Sequence, residues 1–278
     1  MRYRIPIGAM AAAMLTAFAA PAIAADQKYP DFESQWRNPA ATHGDAWDPA
    51  RPAGLQQQAP LTPEYQAIFE ASLEDQAAGG RGNNYQTSCV LDGMPRIMSL
   101  TAPMEILIQP AYTIFIFQDA FPRRIYTDGR KWPTDEEPSF EGYSIGQWID
   151  EDGDGRYDVL AVETRQFTGP RALESSGLPL HRDNETIVKE RIHLDKGNPD
   201  ILHDEITIID NAFTRPWTVD KTYVREHKAK WSEYLCREAT DRIYLGRDAY
   251  AVSPDGKLMP VREHQPPPDL RCFKQPPK

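Results

Sequence analysis

The chain reads as a mainly β protein, an antiparallel lipocalin-like barrel with one N-terminal helix. Short apolar or alternating runs recur from Arg96 to Arg225. The 25 prolines and 17 glycines are spread among them as punctuation. No helical stretch separates consecutive runs, so the crossovers that a parallel sheet needs are missing. A sandwich is the alternative that fits the same pattern.

At the N-terminus, Arg2 and Arg4 precede an almost unbroken apolar run from Ile7 to Ala20, and Ala22-Ile23-Ala24 offers the small residues that a signal peptidase reads. Residues 1–24 are therefore expected to be a signal peptide, cleaved near Ala24, because roughly 14 apolar residues are too few for a bilayer span of about 20. The segment 25–60 is rich in Pro, Ala, Gln and Asp and reads as an irregular arm. A helix opens at Leu61-Thr62-Pro63-Glu64: Thr62 can cap it, Pro63 suits its first position, and Tyr65, Ile68, Phe69 and Leu73 recur at helical spacing before Gly79-Gly80.

Roughly eight to ten antiparallel strands are expected next, from the runs Arg96–Leu100, Glu105–Gln109, Thr113–Phe117, Arg123–Thr127, Ser144–Ile149, Tyr157–Phe167, Thr186–Leu194, Ile201–Ile209 and Trp217–Arg225. They belong to one β-rich domain over 61–250. A short helical or turn region is expected near Trp231–Tyr234, and a proline-rich tail at 251–278. Later apolar runs such as Tyr112–Phe117 are strand-sized, so no membrane helix is expected.

The formal charge of −10 becomes −12 once Arg2 and Arg4 leave with the signal peptide. That surface argues against nucleic acid or anionic lipid as partners. Export would place the mature chain in the periplasm or outside the cell. There, two of Cys89, Cys236 and Cys272 can pair, though spacing does not say which.

The most specific motif is Asp150-Glu151-Asp152-Gly153-Asp154-Gly155-Arg156-Tyr157-Asp158. Acidic side chains occupy loop positions 1, 3, 5 and 9, glycine occupies position 6, and the carbonyl of Arg156 can serve as position 7. Such a loop converges carboxylates on a hard cation, and a structural calcium ion is expected at Asp150, Asp152, Asp154, Arg156 and Asp158. Position 12 is Ala161 instead of glutamate and both flanks read as strands, so the loop resembles the hairpin calcium loops of FG-GAP-type repeats more than a helical EF-hand.

From Cys89 to Tyr223 the chain also resembles a large group of uncharacterised secreted bacterial proteins. The resemblance rests on Gly93-Met94-Pro95-Arg96, Arg123-Arg124-Ile125-Tyr126-Thr127-Asp128-Gly129-Arg130, Gly142-Tyr143-Ser144-Ile145-Gly146-Gln147-Trp148 and Phe213-Thr214-Arg215-Pro216-Trp217. It implies a secreted β protein and brings no activity with it. In the group's pattern a short acidic turn follows the tryptophan, which the calcium-type loop lengthens here.

Two functions remain. One is a periplasmic barrel that binds a small, partly apolar ligand, with Trp148 and Trp217 walling the pocket. The other is an enzyme, a hydrolase, lyase or isomerase, using acid/base residues inside the barrel. His203 and Glu205 share one strand face, Asp128 and Arg130 sit at a turn, and Tyr143 lies nearby in sequence; these five are the candidates. No Ser-His-Asp order, zinc spacing, phosphate loop or haem motif accompanies them.

Overall fold

The structure, a computed structural model, describes residues 28–39, 46–88, 90, 92–233, 242–245, 248–253 and 255–269. The expected signal peptide, all three cysteines and Tyr234 lie outside them.

Nine strands close a barrel in chain order. They are β1 (Gln35–Arg37), β2 (Met104–Gln109), β3 (Tyr112–Phe117), β4 (Arg123–Tyr126), β5 (Tyr143–Ile149), β6 (Val159–Arg165), β7 (Ile187–Leu194), β8 (Ile201–Ile209) and β9 (Trp217–Arg225). Neighbours pair antiparallel except β4 and β5, which run parallel over only Ile125↔Ser144 and Tyr126↔Ile145. β1 closes the barrel, with Trp36 opposite Met104 on one side and Arg225 on the other.

Side-chain alternation sets which face is inside. Along β8, Leu202, Asp204, Ile206 and Ile208 are buried, while His203, Glu205 and Thr207 lie on the outer face. The same pattern turns Leu160, Val162 and Thr164 of β6, Val188, Glu190 and Ile192 of β7, and Val219, Lys221 and Tyr223 of β9 inward. The outer wall carries Lys189, Arg191 and Glu205. Among the described residues no helix is long and apolar enough to cross a membrane.

The helix α1 (Pro63–Ala77) starts as expected, with the Thr62 hydroxyl accepting from the Tyr65 N–H at 3.4 Å and Pro63 in the first turn. Tyr65 and Phe69 bury its inner face.

Three expectations need correction. Arg96–Ser99 is a 3₁₀ turn instead of a strand. All four of its side chains are buried, and a short run buried on every side has no alternation to distinguish strand from turn. The turn plugs one end of the barrel, where Tyr223 Oη donates to the Met98 carbonyl at 2.6 Å and Lys221 Nζ to Ser99 Oγ at 3.0 Å. Second, the arm is not wholly irregular, since it supplies β1 and a 3₁₀ turn at Gly54–Gln57. Third, the region of the tail enters a separate three-stranded sheet of β10 (Arg242–Leu245), β11 (Asp248–Val252) and β12 (Leu258–Pro260). That sheet is tied to α1 by Arg262 and Asp75 at 2.6 Å.

Two of the glycines in the stretches quoted above are close-packing positions. At Gly93, which has a φ of +49°, a Cβ would lie 2.2 Å from the Phe140 carbonyl oxygen. At Gly146 it would meet Ile125 at 2.7 Å.

Candidate functional site

The β5–β6 hairpin carries the acidic loop. Asp150, Asp152 and Asp158 bring carboxylate oxygens within 4.8 Å of one another. Asp150 also accepts from Gly153 N at 2.7 Å and Gly155 N at 2.9 Å, and Asp158 from Glu151 N at 2.7 Å. Gly153 and Gly155 have φ of +77° and +90° with open space around them, so backbone conformation and not crowding requires glycine there. Asp154 is outside the converging set and accepts from Arg156 N at 2.8 Å. Three convergent hard-oxygen donors on a tight loop fit a calcium ion, which takes six to eight oxygens and can complete its shell with carbonyls and water.

Beside this hairpin lies a groove of about 780 Å³. It exists because β4 stops after two pairs with β5, while β5 continues to Ile149 with no strand beside it on that side among the described residues. Trp148, Tyr157, Tyr29 and Trp132 supply its aromatic walls, and Arg130, Glu163 and Lys189 its charges. Tyr29 packs on Trp148 and Tyr157 with ring centres 5.2 and 5.3 Å apart. The Trp148 indole N–H is buried without an acceptor.

Arg130 is held at the groove's rim by two of the predicted residues. Its Nε and Nη2 donate to Asp128 at 2.9 and 2.7 Å, and its Nη1 to Tyr143 Oη at 3.1 Å. The guanidinium lies 3.6 Å above the Tyr126 ring, which stacks on Tyr143. These hydrogen bonds from Arg130 lower the Asp128 carboxyl to about 2, so it is a fixed anion.

The remaining candidates lie elsewhere. His203 and Glu205 are on the outer wall of the barrel and not inside it, because the inward face of β8 belongs to Leu202, Asp204 and Ile206. His203 Nδ1 lies 2.9 Å from Asp220, and Glu205 lies 3.6 Å from Arg191. Trp217 does not line the groove with Trp148. It packs near Trp47 and edge-on to Phe213, with centres 6.4 and 5.8 Å away. The five acid/base candidates thus fall into two groups, and neither is in the interior.

Inside the barrel sits an ionic cluster that the sequence did not reveal. Arg123 forks both oxygens of Glu190, with Nη1 to Oε1 at 2.7 Å, and also reaches Thr164 Oγ1 at 2.9 Å and Ser144 Oγ at 3.3 Å. Asp204 is fully buried with neither carboxylate oxygen accepting a hydrogen bond. Burial, reinforced by Glu190, pushes its carboxyl well above the ordinary range. Burial likewise raises Glu141 to about 7, against the pull of Arg123. The signal available beforehand was the alternation of Arg123 and Ile125 against Arg124 and Tyr126, which turns only one of two adjacent arginines inward.

Comparison of the chain with family models, with curated proteins and with solved structures finds no match to any of them.

Proposed function

We propose that the mature chain is an exported periplasmic barrel protein that binds a small, partly apolar ligand in the groove beside the β5–β6 hairpin. The observation that carries this reading is the groove itself. Its 780 Å³ is within the size range of small-molecule sites, and it joins four aromatic walls to a fixed guanidinium. The rings would take the apolar body of the ligand, and Arg130 and Lys189 an acidic or polar end.

The loop at 150–158 would hold a structural calcium ion next to this groove. Trp148 precedes Asp150 by two residues and Tyr157 precedes Asp158 by one. A cation that ties Asp150 to Asp158 would therefore fix the two rings it flanks, and export would supply the calcium.

The test uses the fluorescent probe 1-anilinonaphthalene-8-sulfonate, which pairs an aromatic body with an anion. The mature protein should bind it saturably, and Trp132→Ala, which removes a wall at the rim, should weaken binding severalfold. Equal affinity in the variant would count against the groove.

A further inference from the structure

A second cavity, of about 270 Å³, lies between α1, the turn at Asn83–Tyr85 and residues 169–184 of the β6–β7 connection. Its lining brings together Arg171, His181 and Arg182 with Tyr65, Ile68 and Tyr85. Arg171 is 7 % exposed. Its Nη2 donates to Thr186 Oγ1 at 2.8 Å and to Asn184 Oδ1 at 3.4 Å, while Nε and Nη1 have no acceptor.

The nearby carboxylates do not supply one. Asp210 accepts from Thr186 Oγ1 at 2.5 Å, Ala212 N at 2.8 Å and His181 N at 2.9 Å. Asp183 is taken by Asn211, His181 and Glu185. Arg171 makes no ion pair among the described residues, and Arg182 is exposed and likewise makes none. A buried guanidinium is normally compensated by an anion, and it is the side chain best matched to a planar oxyanion. Nε and Nη1 are buried with no acceptor, and Arg171 lines the cavity.

We propose that this cavity binds a small organic acid. Its carboxylate faces Arg171, with Arg182 adding positive field, and its apolar body lies against Tyr65, Ile68 and Tyr85. The site shares no lining residue with the groove, and it differs in having a buried guanidinium that makes no direct ion pair among the described residues: it lies 4.4 Å over the Phe167 ring, and Asp210 reaches it only through Thr186.

The test is a calorimetric titration with benzoate and, separately, with inorganic phosphate, at matched ionic strength in chloride, of the mature chain carrying Gln147→Trp, which fills the groove. Saturable benzoate binding is expected, at least threefold tighter than phosphate. It should be lost when Arg171→Met is added to that chain and weakened threefold or more when Arg182→Gln is added. Absence of benzoate binding, phosphate binding as tight as benzoate, or retained affinity in Arg171→Met would each overturn the proposal. If Arg171→Met does not fold, Arg182→Gln decides, and unchanged affinity there overturns it.

Discussion

Arg123 and Arg130 come from one short stretch of sequence, and each forks a carboxylate. Arg123 meets Glu190, 67 residues away, with both side chains at 1 % exposure or less. Arg130 meets Asp128, two residues away, with both about a third exposed. The chemistry is the same, but position in the pleat makes one pair part of the barrel's interior and the other the rim of a groove. Their energetic weights should differ accordingly, since a lone buried charge is expensive whereas an exposed pair competes with water.

The largest effect should come from breaking the interior pair. Glu190→Gln leaves the Arg123 guanidinium without its counter-ion and should lower the unfolding free energy by about 3–5 kcal/mol in urea denaturation. Replacing both partners together, Arg123→Met with Glu190→Leu, should recover most of that loss, because a well-packed apolar pair carries no desolvation penalty.

Next comes pH. The Glu141 carboxyl titrates near 7 in the folded protein and near its ordinary 4.5 when unfolded. Between those values the native state holds the extra proton, so stability should fall as pH rises from about 4.5 to about 7 and level off above. Asp204 is shifted in the same direction and adds to the fall. Glu141→Gln should flatten the profile by an amount on the order of 1–3 kcal/mol. A profile as steep as that of the parent would remove Glu141 from the account.

Calcium at about 100 times its Kd would stabilise the fold by about 2.7 kcal/mol. The melting midpoint should therefore drop by several degrees on chelation, and Asp150→Ala or Asp152→Ala, which remove converging carboxylates, should abolish the difference. An unchanged midpoint in chelator would contradict a site that binds only the folded chain. The smallest effect on stability belongs to the exposed pair. Asp128→Asn should leave the denaturation midpoint in place and show instead as weaker probe binding, because Arg130 loses the anchor that holds it at the rim.

The sequence made the long strands legible, since β5 to β9 are long enough for alternation to show which face is buried. It also marked the α1 cap at Thr62-Pro63 and the acidic loop, both of which depend on residues close together in the chain. It did not reveal β1, whose three residues are too few to alternate, or the 3₁₀ turn at Arg96–Ser99, which is buried all round. Glu190 was visible as an acidic residue in a strand, but its partner depends on the parallel β4–β5 junction that brings Arg123 into the same interior. The groove was illegible for a related reason. It arises where β4 ends and β5 continues, a property of pairing length and not of any motif.

The central claim is that the groove along the unpaired part of β5 is the ligand site. Gln147 points outward there and lines it, so Gln147→Trp should fill it without touching the core. Parallel titration of the parent and this variant with 1-anilinonaphthalene-8-sulfonate tests the claim most directly. The account predicts one saturable site in the parent and at least tenfold weaker binding in Gln147→Trp at an unchanged melting midpoint. The same affinity in both proteins would contradict it.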